Sequence, residues 1–333
     1  MKRIKSIVLG LIIAGLVAIP AYQIIGSSNG AQQKSTKNQL PKITVEPLAK
    51  TGSDGSFSNL SAGDIKPTIP GKAIVYKVKT PIITKENVSA QALKLGISGT
   101  ARETSVDISV KSPTGDYIVD KESGADVYMT KDFELQAFPL KTLLSDETYR
   151  KLATDFLNEK GLMKGDAVFK GVNRGNTYTS GDGSINQAPF MIEIGFSRKA
   201  LNGIEWAGVG PRITVQFGEN GKIIGADSVW REVEPFKEYP VISFSEALDK
   251  VKAGNAAIYN VGLNDSGVVE GAKLVYMSDP VGSHQEYVIP YYELKGKSGS
   301  GKSFIAYTRA IPENLITEAP ASHSSAPQGS KRK

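Results

Sequence analysis

Residues Arg212–Val251 read RITVQFGENGKIIGADSVWREVEPFKEYPVISFSEALDKV, and they hold the clearest structural signals in the chain. Ile213, Val215 and Phe217 alternate with polar residues, the pattern of a strand with one face in a core and one in water. Asn220-Gly221 suits the left-handed backbone of a tight hairpin turn. Ile223, Ile224 and Trp230 carry apolar character into a returning strand. Ser243 and Glu246 have the spacing of a capping box, so a helix is expected to open there and to bury Ala247, Leu248 and Val251. The hairpin is expected at the centre of a sheet, with the helix packed across one face. Between them, Trp230–Tyr239 reads as a loop mixing aromatic and charged residues.

Outward from this unit, similar signals recur. Thr84 is placed to cap a helix with Val88, Ala92 and Leu95 on its apolar stripe. Ser145, followed by Asp146 and Glu147, opens another, with Tyr149, Leu152, Phe156 and Leu157 inward and Gly161 as its stop. Strands are expected at Ala73–Val78, Val106–Val110, from Tyr117, around Val127–Met129, at Phe190–Phe196, Lys273–Met277, Glu286–Leu294 and Ser303–Arg309. The polar run Gly175–Gln187 is the best internal boundary. These elements predict an α+β class: two antiparallel-sheet-plus-helix domains at 72–176 and 188–312, after an N-terminal transmembrane helix and a disordered stalk.

The ends of the 333-residue chain differ from its middle. Lys2, Arg3 and Lys5 precede Ser6–Ile25, a run without charge and long enough to cross a bilayer. We read residues 1–25 as a membrane anchor that leaves the bulk of the chain extracytoplasmic. The alternative is a cleaved signal peptide and a secreted product. Residues 26–71, rich in Gly, Ser, Lys and Pro, read as a flexible stalk, with Ile43-Thr44-Val45 as an isolated hint of strand. Residues 319–333 read as a disordered basic tail.

Several function classes lose support. The formal charge of +6 resides in the terminal clusters Lys2, Arg3, Lys5 and Lys331–Lys333, leaving the interior neutral and without a basic field for nucleic acid. Zero cysteines exclude disulfides and thiolate metal sites. His284 and His323 are the only histidines and have no metal-ligand spacing. Gly296–Ser303, GKSGSGKS, matches the phosphate-loop pattern through Gly296, Gly301, Lys302 and Ser303. The residues that follow, Phe304–Thr308, are strand formers rather than a helix, so the match reads as a hairpin loop and no nucleotide is expected. No catalytic group, metal or cofactor is predicted.

At Trp230-Arg231, Tyr239-Pro240-Val241-Ile242-Ser243, Glu246-Ala247-Leu248 and Gly254, the chain resembles PepSY-like extracytoplasmic domains. It is similar in particular to the membrane-anchored accessory regulators of the Gram-positive cell-wall two-component kinase, over about residues 190–310. The resemblance implies one N-terminal membrane helix and a non-catalytic α+β part that acts by protein contacts, with a sensor kinase among its partners. The expected interaction surface comprises Trp206, Trp230, Arg231, Glu232, Glu234, Phe236 and Tyr239. The alternative is a cell-surface binding or adhesive module that recognises a polymer through exposed aromatic residues.

Overall fold

Alternation builds the larger sheet. In Ile192–Arg198 every second residue is buried, and in Arg212–Phe217 the inward side chains are Ile213, Val215 and Phe217. These strands pair antiparallel from Ile192 opposite Phe217 to Ser197 opposite Arg212. The computed structural model describes residues 39–48, 55–135, 139–174, 178–179, 185–186, 189–208 and 210–319.

The hairpin continues into Ile223–Val229, closed by a loop in which Asn220 (φ 57°) and Gly221 (φ 72°) take the expected left-handed backbone. The loop is wider than a two-residue turn, since Phe217 pairs with Ile223. Glu219 anchors it, its carboxylate accepting the Lys141 and Thr142 N–H groups at 2.8 Å each.

These strands belong to an eight-stranded sheet. Its order is Arg102–Glu103, Asp107–Ser112, Gly115–Asp120, Asp126–Thr130, Ile223–Val229, Arg212–Phe217, Ile192–Arg198 and Ala167–Asn173, with every pair antiparallel. One face is covered by the helices Lys85–Lys94 and Asp146–Glu159, whose N-termini are capped by Thr84 and Ser145 as the sequence predicts. Val88, Ala92, Tyr149, Ala153 and Leu157 meet Ile194, Val215 and Phe217 in the first core. Leu152, expected inside, is 36% exposed, and Ala153 takes the inward position.

A six-stranded sheet forms the second layer: Glu205–Ala207, Asp265–Met277, Pro290–Ser298, Ser303–Arg309 and Ala257–Tyr259 in order, with Phe57–Ala62 also paired to Asp265–Met277. The capping box at Ser243 and Glu246 forms, and the helix Phe244–Lys252 buries Ala247, Leu248 and Val251 in this sheet's core. Replacing Ser243 by alanine removes an N-cap acceptor and should cost about 1 kcal/mol in urea unfolding. The opposite face of the six-stranded sheet is covered over part of its area by the parallel pair Ile43–Val45 and Ile316–Glu318.

The α+β expectation is overturned. Strand accounts for 44% of the structure and helix for 16%, so the chain is mostly β. Nor do two sheet-plus-helix domains follow one another, because the described residues from Leu40 to Ala319 cluster as one compact unit. Asp126–Thr130 pairs with Ile223–Val229, and Lys72–Val78 pairs with Val233–Pro240, so strands from 72–176 and 188–312 share their sheets. The hairpin and helix of 212–251, expected to share a core, lie in different ones.

The disordered stalk is corrected in part. Ile43–Val45 and Phe57–Ala62 are strands that pair with Ile316–Glu318 and Asp265–Met277, although composition alone gave them few apolar residues. The anchor at 1–25, the stalk residues 26–38 and 49–54, and nearly all of the tail at 319–333 lie outside the described residues. Among the described residues no helix is long and apolar enough to cross a membrane.

Candidate functional site

The two tryptophans, separated in sequence, meet around one arginine. Arg198 ends the alternating strand Ile192–Arg198 on its inward side and is 4% exposed. Its guanidinium lies 4.6 Å from the Trp230 ring centroid and 5.6 Å from that of Trp206. Nη1 donates to the Arg231 carbonyl at 2.8 Å. Nε lies 2.7 Å from a carboxylate oxygen of Asp166, at an angle too bent for a hydrogen bond, and Nη2 is 3.6 Å from Glu232. A delocalised, weakly hydrated guanidinium suits a slot between aromatic faces better than an ammonium would.

The junction bridges both layers. Trp230 packs in the core of the eight-stranded sheet, whereas Trp206 packs against the second core and tilts onto Tyr276 at 5.7 Å. Both indole N–H groups are buried without a hydrogen-bond acceptor among the described residues.

Arg231 makes a second tie. Its Nη1 donates to the Asp279 carbonyl at 2.7 Å, and its Nη2 to those of Pro280 and Ser283 at 3.0 and 2.9 Å. Burial pulls its pKa below the ordinary arginine value, while Asp279, Asp120 and Glu122 oppose that shift. The Asp279 carboxyl is itself pushed up to about 6 by burial, with Arg231 opposing. The loop that Arg231 grips also reaches the eight-stranded sheet through His284, whose Nδ1 is 2.5 Å from the Glu122 carboxylate.

Past this junction the chain does not loop, as its sequence suggested, but forms the strand Val233–Pro240. Pro235 argues against a strand, and the structure accommodates it at an irregularity in pairing between Pro235 and Lys237. Tyr239 is fully buried and donates to the Pro41 carbonyl at 2.8 Å. Phe236 is half-buried, its ring 5.2 Å from that of Tyr287. Glu232 and Glu234 are exposed, and Glu234 lies 3.5 Å from Lys79. Of the residues singled out from sequence, Trp230, Arg231 and Tyr239 therefore act from within. Glu232 and Glu234 reach the surface, and Phe236 and Trp206 are half-buried.

Ser303 opens a strand, not a helix. Gly296, Gly301, Lys302 and Ser303 belong to a hairpin in which Lys297 pairs with Ser303, and Gly301 takes φ 81° in the turn. The helix N-terminus that would gather phosphate oxygens is replaced by a ladder. Among the described residues no group of three or more His, Cys, Asp or Glu is arranged to hold a metal ion.

Sequence reading missed Arg198, although strict alternation from Ile192 would have placed it inward. It also missed Asp126, which burial pushes up to about 7 beside Asp227, with Lys164 opposing. No local pattern signals Asp126, because its surroundings come from remote strands.

Comparisons with known proteins add little to this geometry. No family model matches the chain, and no curated protein matches it. Among solved structures, an uncharacterized protein from Eubacterium rectale ATCC 33656 is similar over 76% of this chain and 87% of its own. The identity is 12% and the TM-score 0.40, a distant likeness.

Proposed function

We propose that the protein is a non-catalytic, membrane-anchored extracytoplasmic component that acts by protein–protein contact, regulating an envelope sensor kinase. The observation that carries this reading is the strand Val233–Pro240. It pairs with Lys72–Val78 on one side and with no described strand on the other. An unpaired edge offers backbone donors and acceptors to a partner. Here Glu234, Lys237 and Glu238 line that edge with charge, and Phe236 supplies an aromatic anchor. Arg231 and Trp230, at its base, hold the strand rigidly to both layers. The membrane placement rests on the uncharged run Ser6–Ile25 behind Lys2, Arg3 and Lys5.

The polymer-binding alternative needs open aromatic faces. Arg198 lies over both tryptophan rings, which weighs against stacking of a sugar on either. The test is equilibrium binding to the extracytoplasmic part of an envelope sensor kinase. The double variant Glu234→Lys, Phe236→Ala should bind about tenfold more weakly or worse. Leu93→Asn, on a helix of the larger sheet, should bind as wild type. Equal affinity of wild type and the double variant, or no binding by wild type, would contradict the reading.

A further inference from the structure

The outer face of the six-stranded sheet carries a set of aromatic residues that the proposed contact surface does not use. Alternation sends Phe304 and Ala306 into the core beside the helix Phe244–Lys252, together with Tyr292 and Leu294. It therefore sends Tyr291, Tyr307, Ala257, Tyr259 and Met277 to the opposite side. The pair Ile43–Val45 and Ile316–Glu318 covers one part of that side. Beside it lies a cavity of ≈ 540 Å³, within the range of roughly 300–1,000 Å³ that small-ligand pockets span. Its walls include Leu48, Met277, Tyr259, Tyr291, Tyr307 and Asp279.

The tyrosine rings are held in place. Tyr307 donates to a buried Glu293 carboxylate oxygen at 3.0 Å, and its ring meets that of Tyr259 edge-on at 6.2 Å. Tyr291 is 7% exposed. Among the described residues Asp279 supplies the only charged side chain in the lining. Its main-chain carbonyl is taken by Arg231 and its N–H by Gln285, but its carboxylate receives no hydrogen bond from a described residue. Half-buried in the cavity wall and without a donor, this carboxylate is left free to accept one from a ligand. Arg231 offsets it by charge, but its fork is directed to three carbonyls.

We propose that this cavity binds a small organic cation, an ammonium group borne on an aromatic or apolar body. The ammonium would donate to the Asp279 carboxylate and lie against tyrosine faces, while the body would fill the space beside Met277 and Leu48. The charged and titratable groups that face Asp279 are Arg231, Arg309, His284 and Glu46, with Tyr291 beside it. Burial holds the Asp279 carboxyl near 6, so a cation should bind more tightly above that pH than below it.

Phenethylammonium and its neutral counterpart 2-phenylethanol are the probes, titrated into the full chain by calorimetry and by chemical-shift changes of the tyrosine rings. Phenethylammonium should bind at pH 7.5, and 2-phenylethanol should bind at least about tenfold more weakly. Asp279→Asn should weaken the cation by a similar factor and remove its pH dependence, with thermal unfolding confirming the fold. Tyr259→Ala, at a partly exposed ring, is the second variant and should also weaken binding. The proposal is overturned by absence of binding at 10 mM probe (roughly the weak limit for so small a ligand). Equal affinity of the neutral compound, or binding unaffected by Asp279→Asn, would also overturn it.

Discussion

Replacing Arg198 by alanine is expected to cost roughly 3–5 kcal/mol of folding stability. The truncation leaves a gap between the rings of Trp206 and Trp230 and leaves the Arg231 carbonyl without its donor. Asp166 and Glu232 retain partial access to water, with side chains 45% and 61% exposed, so unpaired acid contributes less than lost packing. Arg198→Lys should recover only part of the loss, because an ammonium lacks the planar fork and stacks poorly. Urea unfolding gives the magnitude. Trp206 and Trp230 are the only two tryptophans in the chain, so their fluorescence reports this junction directly.

The second large effect is a pH dependence of unusual sign. Asp126 sits on the strand Asp126–Thr130, near Tyr117, Lys164 and Asp227, and burial raises its pKa from 3.8 to about 7. Below pH 3.8 the group is neutral in both folded and unfolded chains and contributes nothing. Between the two values the unfolded chain ionises while the folded one holds its proton, so stability falls as pH rises. Above about 7 both are ionised, and the full penalty of burying the charge remains. Asp126→Asn should therefore stabilise the protein by about 2–4 kcal/mol at pH 7.5 and by little at pH 4. Asp279, raised to about 6, adds a dependence of the same sign that the variant retains. Chemical unfolding of wild type and variant at both pH values isolates the Asp126 contribution. A variant that is no more stable at pH 7.5 would contradict this account.

Local chemistry in the sequence was readable, and long-range pairing was not. Thr84, Ser145 and Ser243 cap the helices their spacing predicts, and Asn220-Gly221 takes the backbone its composition demands. The hairpin at Gly296–Ser303 was visible because Phe304–Thr308 favours a strand over the helix a phosphate loop requires. Each of these depends on neighbours a few residues away. By contrast, nothing near Val127 states that it will lie opposite Asp227. Two compact domains would require strands to pair only within each half, whereas Asp126–Thr130 also pairs with Ile223–Val229. Val233–Pro240 was hidden for a different reason: Pro235 and Pro240 break the usual strand composition, which only an edge tolerates.

The residues expected to form an interaction surface lie at mixed depth. Trp230 and Tyr239 are aromatic because they fill cores, and Arg231 is charged because it binds three loop carbonyls. Only their neighbours Glu232, Glu234 and Phe236 can meet a partner without rearrangement. Exposure depends on which face of a strand a residue occupies, and that strand was not predicted.

The two halves of the chain complete each other's sheets. Fragments spanning 40–174 and 189–319, prepared separately, test this most directly by circular dichroism and cooperative unfolding. Each fragment alone should lack a cooperative transition, because Asp126–Thr130 and Ile223–Val229 lose one another, as do Lys72–Val78 and Val233–Pro240. Mixing them should restore near-ultraviolet signals from packed aromatic residues. Cooperative unfolding of either fragment alone, unchanged by the other, would contradict the interlaced fold.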